Sequence, residues 1–137
     1  MAKPSARIVV VDDDPQLCEF MKEFLTRSGY ETEYATSAPE ALDILEARGA
    51  HLVLLDMMMP GMTGEELAPL IKLRSPSTPV VMISAFPPRG VSGVDQIFPK
   101  PLSLLKLKEI VKSYLADDDA PFSELTNTAP ALKTPNL

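Results

Sequence analysis

The chain has 137 residues, of which 45% are hydrophobic and 23% are charged, and these values fit one globular domain. Its net charge of −6, with 19 acidic and 13 basic residues, offers no basic patch for nucleic acid. The apolar runs are too short to span a bilayer, no signal peptide is evident and the single cysteine cannot form an internal disulfide, so we expect a cytoplasmic protein that binds neither DNA nor membranes.

Strand-like and helix-like segments alternate from the N-terminus. The run Arg7–Val11 is apolar and β-branched, as expected for a parallel strand covered on both faces, and Pro15 can open the helix that follows. Glu31–Ala35 alternates polar and apolar residues, which predicts an edge strand. The stretch from Ser37 to Glu40 predicts a capping box at the start of a second helix.

The second half of the chain continues this alternation with one interruption. Three more strands are predicted, at Leu52–Leu55, Pro79–Ile83 and Gln96–Phe98. A short helix begins near Glu65, and the apolar spacing of residues 107–115 predicts a last helix. Segment 85–95, AFPPRGVSGVD, contains two prolines and two glycines. We therefore expect the helix between the fourth and fifth strands to be shortened or absent.

This order of elements predicts the fold class. Strands that alternate with helices indicate βα units around a parallel sheet, and right-handed crossovers place helices on both faces of a doubly wound α/β fold. Residues 117–137 hold three prolines and no periodic pattern. We expect a domain over residues 5–116, followed by a flexible tail or linker at 117–137.

Reactive side chains follow four of the predicted strands. Asp12 and Asp13 come after the first strand, Asp56 after the third, Ser84 after the fourth and Lys100 after the fifth. Parallel α/β sheets bind ligands beyond these strand ends, so the residues are expected to share one pocket. Crowded carboxylates repel one another, and a hard divalent cation such as magnesium removes that conflict. A lysine and a hydroxyl beside them would suit phosphoryl transfer.

Four motifs carry a family resemblance. They are VVVDDDP at 9–15, LVLLDMMMPGMTG at 52–64, Ser84-Ala85 after PVVMI, and Lys100-Pro101. In this order they resemble the bacterial two-component response-regulator receiver domain, of the stand-alone, chemotaxis-receiver-like kind, over about residues 5–116. The resemblance implies a flavodoxin-like sheet of five parallel strands in the order 2-1-3-4-5.

The resemblance also implies a metal and a phosphoacceptor. Asp56 would receive the phosphoryl group as an aspartyl phosphate. Asp13, Asp56 and the backbone carbonyl of Met58 would bind magnesium, or manganese in its place, and Asp12 would join through a water molecule.

Two further residues and the partners are implied in the same way. Lys100 would pair with the phosphoryl group, and Ser84 would turn its hydroxyl toward a phosphoryl oxygen. The donor would be a phosphohistidine on a sensor histidine kinase or a histidine phosphotransfer protein, and the target an unidentified downstream protein. The chain would then catalyse its own phosphorylation and dephosphorylation, with no turnover of a separate substrate.

The sequence departs from the family in the part that reads out phosphorylation. The family usually has an aromatic residue three positions before the lysine, where this chain has Ile97. Phe98 lies one residue later, and a shift of one residue points a strand side chain to the opposite face. Together with the shortened helix, this predicts intact phosphorylation chemistry and a nonstandard readout.

Three other functional classes stay open. A pseudo-receiver would keep the fold without being phosphorylated, although Asp56, Ser84 and Lys100 are all present. A hydrolytic aspartyl phosphatase commonly has a second acid two residues after its nucleophile, where this chain has Met58. A nucleotide-binding domain would need a glycine-rich loop after the first strand, and none follows.

Overall fold

The computed structural model describes residues 6–115, and the predicted tail lies outside that range. The described elements are, in chain order, β1 (Arg7–Val11), α1 (Pro15–Arg27), β2 (Glu31–Ala35), α2 (Ala38–Arg48), β3 (Leu52–Asp56), α3 (Gly64–Arg74), β4 (Val80–Ser84), β5 (Gln96–Pro99) and α4 (Leu104–Leu115). None of these helices is long and apolar enough to cross a bilayer. The predicted alternation is confirmed, with two informative shifts: Asp56 and Ser84 are the last residues of their strands and do not follow them.

The five strands form one parallel sheet in the order β2-β1-β3-β4-β5, as the resemblance implied. At the carboxyl edge Val11 pairs with both Ala35 and Leu55, and Asp56 pairs with Ile83. Because all strands run in the same direction, their carboxyl ends line one edge of the sheet, and the reactive side chains are delivered to that edge.

The residues of each strand alternate between two apolar layers. On one face Val9, Val11 and Val53 pack with the buried residues of α2 and α3. On the other, Ile8 and Val10 are fully or almost fully buried, and α1 packs against β1 and β2. Helices on both faces confirm the predicted doubly wound, flavodoxin-like fold.

The helix starts differ in how closely they follow the prediction. Ser37 caps α2 by accepting the Glu40 N–H at 3.4 Å, but the Glu40 carboxylate accepts the N–H of Thr36 at 2.7 Å, so the predicted capping box forms only in part. The complete box lies at α3, where the Thr63 hydroxyl accepts the Glu66 N–H and the Glu66 carboxylate accepts the Thr63 N–H. The start of α3 is therefore fixed from both sides.

The 85–95 connection between β4 and β5 contains no regular helix, as predicted. Its second half is nevertheless held in place. The Asp95 carboxylate accepts the Val80 N–H at 2.7 Å and pairs with the Lys72 ammonium at 3.0 Å. A Cβ added at Gly93 would lie 2.9 Å from the Ala68 backbone, so the connection packs directly on α3.

The chain divides after Lys100 into two compact units. The described part of the second unit contains α4, whose apolar residues Leu107, Ile110 and Val111 are buried and recur at helical spacing. This confirms the last predicted helix, which begins three residues before Leu107.

Candidate functional site

Three carboxylates converge at the carboxyl edge of the sheet. Asp12 and Asp13 directly follow β1, and Asp56 ends the neighbouring strand β3. One oxygen of each lies within 4.8 Å of the others. Asp12 is 5% exposed and Asp56 is 8% exposed, whereas Asp13 is exposed, so the cluster is buried on one side and open to a ligand on the other.

Lys100 supplies the positive charge of this pocket. Its ammonium lies 3.4 Å from Asp12 Oδ2 and 3.4 Å from Asp56 Oδ1, so it bridges the two buried acids. The Lys100 backbone N–H donates to the Ser84 carbonyl at 2.9 Å, which extends the β4–β5 ladder to the lysine. Strand register therefore places this side chain, although 88 residues separate it from Asp12 along the chain.

The charges in the pocket are not balanced. Burial raises the pKa of Asp56, and the neighbouring charge of Asp12 raises it further, while Lys100 opposes both effects. Burial likewise raises the pKa of Asp12, against the opposing hydrogen bond from the Asp14 N–H. Burial works to lower the pKa of Lys100, but the two carboxylates outweigh it and raise that pKa. Lys100 thus offsets only part of the combined effect of burial and of the neighbouring acids on the pKa of Asp12 and of Asp56.

This donor set fits a hard divalent cation. The candidate ligand atoms of Asp12, Asp13 and Asp56 are all oxygens, close enough to share one ion, and the buried pair keeps a raised pKa despite Lys100. Oxygen ligands with an open coordination side favour magnesium over thiolate- or imidazole-binding metals. Part of the predicted ligand set is therefore brought together by the fold. The Met58 side chain is exposed, and the role predicted for that residue belongs to its backbone carbonyl.

Ser84 lies at the same sheet edge, fully buried at the end of β4. Its hydroxyl oxygen accepts the backbone N–H of Phe86 at 3.1 Å. The serine is thus tied to the first residues of the 85–95 connection, and the acids meet Lys100 without it.

Two contacts of the site were missed by sequence reasoning. The buried thiol of Cys18 donates to the Asp12 carbonyl at 3.2 Å, and burial, then the charge of Asp12, raises the pKa of that thiol to about 12. Gly64 packs directly on the backbone of Asp56. Gly64 is the last residue of the motif at 52–64, but its place in the sequence does not show which atoms it contacts.

The profile of the family described as "Response regulator receiver domain" matches residues 8–112, well over half of the chain. The chain belongs to this family. The receiver domain is therefore that of a response regulator of two-component systems.

Individual relatives agree with this assignment. The chain is 32% identical over 126 residues to the sensory transduction protein RegX3 of Mycobacterium tuberculosis, and the match covers 85% of the chain and 55% of RegX3. The chain thus spans about half the length of that curated relative. A CheY-like receiver structure from Methanospirillum hungatei is 30% identical with a TM-score of 0.77, covering 82% of this chain and 94% of that one.

A second solved structure is that of the response regulator TrrA from Thermotoga maritima, in complex with Mg²⁺–BeF. It is 32% identical to the receiver domain with a TM-score of 0.70, and the match covers 80% of this chain and 98% of TrrA.

The position of Ile97 distinguishes this receiver domain from the pattern expected of the family. Ile97 pairs with Met82 and packs against the apolar layer shared with α2 and α3. Phe98 pairs with Ile83, one residue further along β5, and so projects to the opposite face. The aromatic residue does not take the place of the missing one.

Proposed function

We propose that this receiver domain accepts a phosphoryl group on Asp56 with the help of Mg²⁺. The observation that carries the proposal is the position of Asp56. Its nearly buried carboxylate shares a pocket with Asp12 and Asp13 and lies 3.4 Å from the Lys100 ammonium. Burying an ionised carboxylate costs folding free energy unless a partner compensates its charge. A reactive role as phosphoacceptor would account for an acid in this position.

The proposed transfer starts from a phosphohistidine on a sensor histidine kinase or a histidine phosphotransfer protein. An Asp56 carboxylate oxygen attacks phosphorus, the bond from phosphorus to the imidazole nitrogen breaks, and that nitrogen leaves with the bonding electron pair and takes a proton from water. Mg²⁺ would neutralise charge on the phosphoryl oxygens. Asp13, Asp56 and the Met58 carbonyl would hold it directly, and Asp12 would contact it through a water molecule. Manganese has the same ligand preference and would serve in its place.

The remaining residues hold the transferred group. The Lys100 ammonium already lies between the two buried acids, so it reaches an added phosphoryl oxygen without a large movement. The Ser84 hydroxyl can donate its proton to another phosphoryl oxygen while its lone pairs still accept the Phe86 N–H. We propose that these new bonds to the phosphoryl group change the contacts of the receiver domain with a downstream protein.

Phosphorylation by a small donor tests the proposal without the cognate kinase. Incubation with acetyl phosphate and Mg²⁺ should add the mass of one phosphoryl group to the wild-type chain and none to Asp56→Asn. The matched control is Asp14→Asn, because the Asp14 carboxylate caps α1 by accepting the Gln16 N–H at 3.0 Å, and asparagine caps equally well. This control should gain the phosphoryl group as the wild type does.

Two results would contradict the proposal. No mass gain in the wild-type chain would favour a pseudo-receiver that acts through binding alone. A gain that persists in Asp56→Asn would place the phosphoryl group on another residue.

A further inference from the structure

Gly64, the first residue of α3, packs against the backbone of the proposed phosphoacceptor. A Cβ added to Gly64 would lie 2.6 Å from the Asp56 carbonyl oxygen and 2.9 Å from the Met57 Cα. Real Cβ atoms essentially never show such distances, and because both atoms are backbone, no side-chain rotation can relieve the overlap. The Gly64 φ is not in the left-handed region, so glycine is required here for space and not for its conformational freedom.

The same residue also closes the loop after β3. The Gly64 N–H donates to the Met57 carbonyl at 2.9 Å, which ties the first turn of α3 to the peptide next to Asp56. Met58 follows immediately, and its backbone carbonyl is the metal ligand of the proposed function. Gly64 therefore contacts the backbone of Asp56 and Met57, the two residues that directly precede Met58.

Neither side of this contact can move freely. The start of α3 is held by the capping box of Thr63 and Glu66, and Leu67 on its first turn is fully buried. Asp56 belongs to a strand that pairs with β1 on one side and β4 on the other. A side chain at position 64 must therefore displace the short backbone segment after Asp56, which lies beyond the end of β3 and outside the strand pairing.

We propose that Gly64 is a positioning residue of the receiver site. Because Gly64 has no side chain, the start of α3 can approach the Asp56 backbone closely. This approach fixes the backbone conformation of residues 56–58 and therefore the orientation of the Met58 carbonyl toward Mg²⁺. This inference rests on the proposed function, because it assigns Gly64 to the metal site of that function. Its direct consequence is that Gly64→Ala weakens Mg²⁺ binding by more than the loss of stability explains.

Three glycines of this chain provide a matched series. Gly64→Ala creates a backbone clash at the site. Gly93→Ala creates a backbone clash with the same helix, 2.9 Å from Ala68, and also forces an alanine to adopt a φ of +85°. Gly90→Ala meets nothing within 4 Å and has no left-handed φ, so it reports on the substitution alone.

The experiment measures the Mg²⁺ dissociation constant by isothermal titration calorimetry, at a temperature where circular dichroism shows each variant fully folded. We expect Gly64→Ala to raise the dissociation constant about 10- to 100-fold, the usual range for residues that support metal ligands. Gly93→Ala should lose at least as much stability and keep the wild-type dissociation constant within about twofold, as should Gly90→Ala.

The outcomes separate this inference from the proposed function. If the wild-type chain does not bind Mg²⁺, the proposed function fails. If the wild type binds and Gly64→Ala binds equally well, or if Gly93→Ala loses the same affinity, Gly64 has only a structural role and the inference is wrong.

A second pair of variants decides the matter if Gly64→Ala does not fold. Thr63→Ala removes the side-chain cap at the start of α3, next to Gly64, and Ser37→Ala removes the corresponding cap of α2, where the Ser37 hydroxyl accepts the Glu40 N–H. Thr63→Ala should then raise the Mg²⁺ dissociation constant severalfold and Ser37→Ala should leave it unchanged. Equal constants for both variants would overturn the inference.

Discussion

The acidic pocket and the 85–95 connection differ in what fixes their conformation. In the pocket, Asp56 is held by strand pairing on both sides and the Lys100 ammonium by two carboxylates. Phe86, the second residue of the connection, is 79% exposed, and within the described residues the backbone of the first half is held by one hydrogen bond, from the Phe86 N–H to the Ser84 hydroxyl. The residues proposed for chemistry thus lie where burial and register leave little freedom.

The second half of the connection shows how the departure from the family is tolerated. Asp95 bonds to Val80 and Lys72, Gly93 packs on α3, and Val91 and Val94 pack against the apolar layer. These contacts fix the second half of the connection against α3 and the apolar layer without a helix. The departure from the family pattern thus lies in Ile97 of β5 and in the helix-free connection, whose first residues after Ser84 are exposed.

The largest expected effect comes from the charge in the pocket. Lys100→Ala removes the only cation shown within salt-bridge distance of Asp56 in the described chain. We expect the rate of phosphorylation by acetyl phosphate to fall by about 100-fold, since losing one group that stabilises developing charge typically costs this much. The rate is measured by intact-mass analysis over time.

The control for that substitution is Lys22→Ala, which removes an exposed lysine near the Tyr34 ring, away from the acids. It should keep the wild-type rate. A Lys100→Ala rate within about threefold of wild type would mean that Lys100 neutralises the resting pocket without acting in transfer.

The second prediction concerns the anchor of the connection. Asp95→Ala leaves the Val80 N–H and Lys72 without their shared acceptor, so the free energy of unfolding measured in urea should fall by about 1–3 kcal/mol. Asp95→Asn keeps an oxygen for the Val80 N–H and should lose less. Phosphorylation of Asp56 should remain at the wild-type rate in both variants. A large loss of rate would show that the pocket and the connection are not separable.

The smallest expected effect is a pH dependence of stability in the absence of metal. Burial and the charge of Asp12 raise the pKa of Asp56, so the ionised carboxylate destabilises the folded chain. This penalty is complete above the folded-state pKa and disappears below the ordinary value of 3.8. Asp56→Asn should therefore unfold at higher urea concentration than wild type near neutral pH, and its advantage should shrink as the pH falls toward 3.8.

Magnesium should reduce the stability advantage of Asp56→Asn over wild type. At a concentration ten times its dissociation constant, a ligand that binds only the folded state adds ~1.4 kcal/mol, and we expect this gain in wild type but not in Asp56→Asn. If wild type is more stable than Asp56→Asn without metal, burial and the charge of Asp12 do not destabilise the ionised Asp56 carboxylate as described.

The fold and the acidic pocket could be predicted because they depend on local patterns. The β-branched run before Asp12 and the apolar run before Asp56 mark buried parallel strands, and parallel strands bring their carboxyl ends together. The prolines and glycines of segment 85–95 excluded a helix for an equally local reason. Each of these inferences needs only the residues of one element and the rules that govern it.

The remaining features depend on contacts between elements. The approach of Gly64 to the Asp56 carbonyl is set by how α3 docks, and the acceptance of the Thr36 N–H by the Glu40 carboxylate is set by the local geometry at one helix start. The bond from Val80 to Asp95 joins residues 15 positions apart across an irregular segment. Sequence spacing does not encode such distances, so these contacts emerged only from the folded chain.

Chemical trapping of the phosphorylated residue tests the central claim most directly. Borohydride reduces an aspartyl phosphate to homoserine, which peptide mass mapping assigns to one position. After treatment with acetyl phosphate and Mg²⁺, we expect homoserine at position 56 alone, and none when Mg²⁺ is removed by chelation. Homoserine at position 12 or 13, or no homoserine at all, would contradict the account.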